Sequence, residues 1–63
     1  MIHFAVSDVL ALEETTQGLR VRIRGQEMWL PPSQITDDSE VWAEGQRGEL
    51  CITLRLAEEL GLL

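Results

Sequence analysis

Residues 19–24 alternate strictly between an apolar and a basic side chain, which constrains the fold more than any other feature of the sequence. A period of two residues places successive side chains on opposite faces of a β-strand. One face would carry Leu19, Val21 and Ile23, and the other Arg20, Arg22 and Arg24. We therefore predict a strand over this segment, with its apolar face packed on a core.

The N-terminal segment is predicted to form a first strand. Apolar residues alternate over residues 2–6, and the apolar run continues over residues 9–12. A bend or bulge near residues 7–8 would join these two halves. Residues 13–18 are polar and end in glycine, so they are predicted to form the first turn.

A hairpin turn is predicted at Gly25-Gln26, with residues 27–30 as the returning strand. Pro31-Pro32 would end that strand, because proline has no N–H to donate to a central ladder. Residues 33–35 could form one helical turn, with Ile35 filling part of the core.

The C-terminal third predicts a last strand followed by a short helix. A turn at residues 45–48 precedes residues 50–55, which alternate again. Residues 56–60 can form a helix that Gly61 ends. These elements predict a mainly β fold with a short C-terminal helix. The expected architecture is a small SH3-like or OB-like, partly open antiparallel barrel of four to five strands, in one domain over residues 1–63.

Charge is distributed unevenly along the chain. The formal net charge is −6 and there is no lysine. Residues 37–63 hold seven acidic residues and two arginines, a net charge of −5. A protein that holds nucleic-acid phosphates needs a basic face, so direct nucleic-acid binding is not expected. An acidic surface instead favours a protein partner with a basic surface.

Groups that could perform catalysis are scarce. His3 and Cys51 are the single histidine and the single cysteine, and nothing in the sequence positions them as a base and nucleophile. We therefore predict no enzyme activity, no metal site and no cofactor. The lone cysteine is typical of a reducing cytoplasm, and we expect neither a signal peptide nor a membrane span. We expect a monomer or, through an exposed Leu62-Leu63 end, a weak dimer.

An acidic segment surrounds the second tryptophan and is the candidate partner-binding site. Tryptophans in so small a domain are commonly core or rim residues, but one that is partly exposed can anchor a partner. Trp42 is the better candidate than Trp29 because acidic residues flank it. The acids could equally form a solvated face. The predicted partner-binding residues are Asp37, Asp38, Glu40, Trp42, Glu44 and Glu49.

The run Trp29-Leu30-Pro31-Pro32-Ser33-Gln34-Ile35 resembles a group of small bacterial and phage proteins. These share a tryptophan, a proline and a Ser-Gln-Ile step, followed by an acidic loop with a second tryptophan, here residues 37–42. The resemblance extends through residues 56–62. Where such proteins often have a lysine before the serine, this chain has Pro32. Most of them have no assigned function, so this resemblance informs the fold more than the activity.

By size, acidity and phage character the chain also resembles anti-CRISPR proteins, in particular the small inhibitors of type I surveillance complexes. This resemblance implies a phage-encoded inhibitor in the host bacterial cytoplasm. It would bind a Cas effector subunit and block DNA binding through an acidic, DNA-mimicking surface. The alternative is a small non-catalytic interaction module of a bacterial or phage complex, with Trp29, Pro31-Pro32 and the arginine face as its contact surface.

Overall fold

The structure, a computed structural model, describes residues 2–63. The elements in chain order are β1 (Phe4–Thr15), β2 (Gly18–Ile23), β3 (Gln26–Leu30), a 3-10 turn (Pro32–Gln34), β4 (Arg47–Ile52) and α1 (Leu54–Glu59). The strands form one antiparallel sheet in the order β3-β2-β1-β4. The prediction of a mainly β fold with a short C-terminal helix is confirmed.

The long strand β1 is bent and shared between two partners. Its first half pairs with β4 and its second half with β2. The register with β4 shifts between Val6 and Val9, and Asp8 has a φ of 60°. A bulge of this kind bends a strand and increases its twist. The predicted bend near residues 7–8 is therefore present.

The sheet is strongly curved. Leu30 lies level with the end of β1, whereas Ile52 pairs with Phe4 at its beginning. Ten residues of extended strand span about 33 Å. Ile35, the bridge partner of Ile52, is only five positions beyond Leu30, a reach of about 18 Å at most. The sheet must curl to bring these ends together, and the largest dimension of the molecule is 25 Å.

One apolar core fills the inside of this curved sheet. All three apolar residues of the alternating strand are fully buried there, as predicted. The loop after β3 and helix α1 close the core from outside the sheet, with Val41, Leu56 and Ala57 buried and Ile35 and Leu62 packed against it. No ladder joins β3 to β4 within residues 2–63, so the sheet is open.

Helix α1 begins earlier than predicted because Thr53 caps it. The Thr53 hydroxyl accepts a hydrogen bond from the backbone N–H of Leu56 at 3.2 Å. At the other end Gly61 has a φ of 75°, and the N–H groups of Gly61 and Leu62 donate to the carbonyls of Glu58 and Ala57. This is a Schellman motif, so the predicted stop at Gly61 is confirmed. Residues 54–55 therefore belong to the helix and not to the last strand.

Two of the predicted turns are shorter than the sequence suggested, and the third is shifted by one residue. Residues 13–15 continue β1, because Thr15 pairs with Gly18, and only residues 16–17 form the turn. The next hairpin turn is at residues 24–25, one position earlier than predicted, since Ile23 pairs with Gln26. Strand β4 likewise includes residues 47–48 of the third predicted turn. Cross-strand pairing extends each ladder into residues whose composition is typical of turns.

Within residues 2–63, no helix is both long enough and apolar enough to cross a membrane.

Candidate functional site

The loop between the 3-10 turn and β4 is attached to the outer edge of β4 by a buried hydroxyl and by backbone hydrogen bonds. Ser39 Oγ donates to the carbonyl of Val41 at 2.7 Å and accepts from the N–H groups of Val41 and Cys51 at 3.2 and 3.1 Å. The N–H of Thr36 also donates to the carbonyl of Cys51 at 2.9 Å. These bonds give the loop a fixed conformation although it has no regular secondary structure.

Trp42 projects from this loop with 62% of its surface exposed. Its backbone N–H and that of Ala43 both donate to Oε1 of Gln46 at 2.8 Å. The backbone bonds, and not packing of the indole, therefore hold Trp42 in place. An exposed aromatic side chain on a rigid backbone loses little entropy on binding and is a typical interface anchor.

The indole forms one wall of a shallow groove of about 330 Å³. Pro32 and Ile35 provide its apolar lining, and Asp37 contributes a carboxylate. A second depression adjoins it and shares Ile35, Thr36 and Asp37. Together these residues form what we call the acidic groove: Pro32, Ser33, Ile35, Thr36, Asp37, Asp38, Ser39, Trp42 and Thr53. Sequence reasoning identified the acids and Trp42 but did not assign Pro32 and Ile35 to the site.

Four of the predicted acidic residues lie in or near this groove, and they differ in their hydrogen bonding. Asp37 and Asp38 line it and are exposed. Glu40 and Glu49 are neighbours, because Oε1 of Glu40 accepts from the N–H of Glu49 at 2.8 Å. The carboxylate of Glu40 therefore stabilises the loop as well as contributing charge.

Glu44 lies beside the distal half of β1 rather than in the groove. Its Oε1 accepts from the N–H of Glu14 at 3.1 Å, and its own N–H donates to Oε1 of Glu14 at 3.5 Å. The grouping of Glu44 with the other predicted residues followed from proximity in sequence. The turn at residues 44–45 instead carries it to the end of β1.

Cys51 lies beneath the acidic residues as a buried thiol. Burial raises the pKa of this thiol, and the negative charges of Glu49, Asp38 and Glu40 raise it further. A raised pKa keeps the sulfur protonated and weakly nucleophilic at neutral pH. No hydrogen bond joins Cys51 to His3 within the described residues, and His3 Nδ1 is instead 3.5 Å from Oδ2 of Asp38. The arrangement does not form a cysteine–histidine pair.

Both tryptophans are more than half exposed, so neither is a core residue. Trp29 is 51% exposed and lies on the outer face of β3. The guanidinium carbon of Arg20, its cross-strand partner, is 5.9 Å from the ring centroid. This distance is within the range of a cation–π contact. Trp29 thus has a partner within the protein, whereas Trp42 stands at the edge of the acidic groove.

The arginines on the outer face of β2 are partly paired with glutamates. Arg20 bonds Glu27 and also Glu13, the latter at 3.2 Å, and these bonds raise the pKa of Arg20. Arg22 approaches Glu27 at 3.6 Å. Within residues 2–63, Glu49 forms no ion pair with Arg20, Arg22 or Arg24.

No protein-family model, curated protein or solved structure matches this chain. Within residues 2–63, no group of three or more histidine, cysteine, aspartate or glutamate side chains is arranged to hold a metal ion. The acidic groove presents to solvent an exposed aromatic residue, a short apolar lining and carboxylates at its margin. Such a surface can bind another protein without chemical reaction.

Proposed function

We propose that this protein is a small non-catalytic binding protein that docks on a basic protein surface through its acidic groove. The observation that carries the proposal is the 62% exposed indole of Trp42 beside Pro32 and Ile35, with Asp37 at the same groove. An apolar centre with a charged rim is the usual anatomy of a protein interface. The carboxylates select for lysine and arginine on the partner.

The specific form of this proposal is an inhibitor of a nucleic-acid-binding complex, with a type I CRISPR surveillance complex in the bacterial cytoplasm as the first candidate. Such a complex has basic surfaces that hold DNA. Asp37, Asp38, Glu40 and Glu49 are exposed and supply negative charge in and beside the acidic groove. This short acidic surface could occupy part of a basic DNA path.

The experiment is a target-DNA binding assay on purified type I surveillance complexes, with and without this protein, at two salt concentrations. The proposal expects loss of DNA binding at low salt and relief of that loss at high salt, because exposed charge interactions are screened. Inhibition that does not change with salt would contradict a charge-based mechanism. No inhibition of any complex would contradict the CRISPR form of the proposal.

The two exposed tryptophans provide a matched pair of variants for the same assay. Trp42→Ala should weaken inhibition roughly 30-fold or more, as expected for an anchor residue worth about 2 kcal/mol. Trp29→Ala removes an equally large exposed side chain outside the acidic groove and should leave inhibition nearly unchanged. Equal losses in both variants would mean that the contact is not centred on Trp42.

The second candidate is an interaction module of a bacterial or phage complex that uses the other tryptophan, Trp29. Trp29 remains half exposed, lies beside a separate small groove with Gln17, and precedes the Pro31-Pro32 corner. A partner that binds normally to Trp42→Ala and poorly to Trp29→Ala would favour this candidate.

A further inference from the structure

A second groove, of about 340 Å³, has the opposite charge to the acidic groove. Three arginines line it, together with Asp8, the half-buried Leu10 and backbone at the turn after β2. We call it the arginine groove, and its basic residues are Arg22, Arg24 and Arg47. With one carboxylate among three guanidinium groups, its local charge is about +2 in a protein whose net charge is −6.

The strand register brings these arginines together. Leu10 on β1 pairs with Arg22 on β2 and with Arg47 on β4. Directly paired residues point to the same face of an antiparallel sheet, so two guanidinium groups flank Leu10 from either side. Arg24, two residues beyond Arg22, is placed at the same end of the sheet by the turn.

The Asp8 carboxylate forms an ion pair with only one of the three guanidinium groups. Its Oδ1 is 2.9 Å from Nε and 2.8 Å from Nη2 of Arg47. Arg22 has a longer contact, 3.6 Å, with Glu27. Within residues 2–63, no ion pair involves Arg24. The groove therefore retains donors for an external anion.

The backbone at Arg24 is in a conformation that an arginine adopts at a cost. Arg24 and Gly25 have φ values of 51° and 81°, and the flanking residues are paired, which defines a type I′ hairpin turn. The first position of such a turn strongly prefers asparagine, aspartate or glycine. Asp8, at 60°, is the other non-glycine residue with positive φ among those described, and it lines the same groove. Unfavourable backbone conformations tend to concentrate at functional sites.

We propose that the arginine groove is a binding site for a single phosphoryl group. A phosphate monoester carries a charge of about −1.5 to −2 at neutral pH, which matches the local charge of the groove. Planar guanidinium groups donate paired hydrogen bonds to its oxygens. A long nucleic acid is disfavoured because the acidic surfaces on the rest of the molecule would repel its other phosphates.

The test is a nuclear magnetic resonance titration with inorganic phosphate at constant ionic strength, following the backbone amides of the arginine groove. The expected result is saturable shifts at Arg22, Arg24 and Arg47. Phenyl phosphate is titrated separately. Tighter binding of this ester, through contact with Leu10, supports the site and indicates a phosphate ester as its ligand. Equal binding of the two also supports the site and indicates that the phosphoryl group alone is recognised. No saturable shifts with either ligand would overturn the proposal.

Arg24→Asn is the decisive variant, because asparagine suits the turn better than arginine does. It should raise the melting temperature and weaken phosphate binding roughly 10-fold. The matched control is Arg55→Gln, which removes the same charge from an exposed position on α1 outside the groove. Equal weakening in both variants, acetate binding as tightly as phosphate, or an oligonucleotide binding more tightly than phosphate would each overturn the proposal.

Discussion

The acidic groove and the arginine groove enclose similar volumes, about 330 Å³ for the part beside Trp42 and about 340 Å³, but they are built differently. Nearly all of the acidic groove comes from residues 32–42, one continuous stretch of chain. The arginine groove takes its residues from three strands and a turn. A surface formed by one continuous segment can be predicted from the sequence. A surface assembled by strand pairing cannot be predicted without knowing the register.

The largest effect is expected from Ser39→Ala, which should disturb the acidic groove and leave the arginine groove intact. Ser39→Ala leaves the buried N–H groups of Val41 and Cys51 without their partner, so it should reduce the free energy of unfolding by about 2 kcal/mol. Urea unfolding measures this change, and an unchanged slope m would confirm that the unfolding transition remains two-state. At temperatures where the variant is folded, partner binding by the acidic groove should fall while phosphate binding by the arginine groove persists.

Ser33→Ala is the control for that variant. Ser33 lines the same groove but is exposed, so its loss should change stability by less than about 0.5 kcal/mol. If both serine variants lost similar stability, the buried hydroxyl would not be what fixes the loop.

A smaller effect is expected from the charge of the acidic groove alone. Replacing Asp37 and Asp38 together by asparagine should slow association with a basic partner roughly 10-fold at low salt, because steering depends on exposed charge. Glu40 is unsuitable for this purpose, since its carboxylate also holds the N–H of Glu49. Surface plasmon resonance with a type I surveillance complex would measure the rate.

The matched control for this pair is the double replacement of Glu58 and Glu59 by glutamine on α1, which removes the same charge outside the groove. Association slowed equally by both double variants would show that only net charge matters, and that the acidic groove is not the contact.

A modest effect in the opposite direction is expected in the arginine groove. Asp8→Asn removes the one carboxylate there while keeping a residue that tolerates positive φ. Phosphate should bind roughly 3-fold more tightly, because Arg47 gains freedom to donate and the local charge rises. Stability should change by less than about 1 kcal/mol, as for other exposed ion pairs. Weaker phosphate binding in this variant, or an equal gain in Asp37→Asn, would contradict the assignment.

The smallest effect concerns Cys51, which reports on the charge of the acidic side. Since its pKa is raised in the folded state, the folded thiol keeps its proton at pH values where the unfolded thiol has lost it. The contribution to stability is thus complete below about pH 8.5 and decreases as the pH rises above that value. Urea unfolding from pH 7 to 10 should show this decline in the wild type and not in Cys51→Ala.

Removing the neighbouring charges with Asp38→Asn and Glu49→Gln should make this decline in stability smaller, because both carboxylates raise the pKa of the thiol. A decline of unchanged size would mean that burial alone sets this pKa.

Local patterns predicted most of the secondary structure correctly. Three signals depend only on residues close by in the sequence: the alternation over residues 19–24, the proline pair after β3 and the glycine at position 61. The limits of the turns were wrong because pairing between strands, and not composition, sets where a ladder ends. The sequence left open which tryptophan would be exposed, since for Trp29 this depends on which face of β3 turns outward.

The sequence by itself determined that this chain would be a small sheet with a solvated acidic segment around Trp42. Period-two patterning, proline and glycine positions and charge are properties of short stretches, so they need no knowledge of distant residues. The tertiary structure alone decided that Glu44 would leave the acidic group, that Pro32 and Ile35 would join it, and that three arginines would meet over Leu10. The physical reason is that strand register and the bend at Asp8 relate residues far apart in the chain, and a shift of one residue would turn each side chain to the other face.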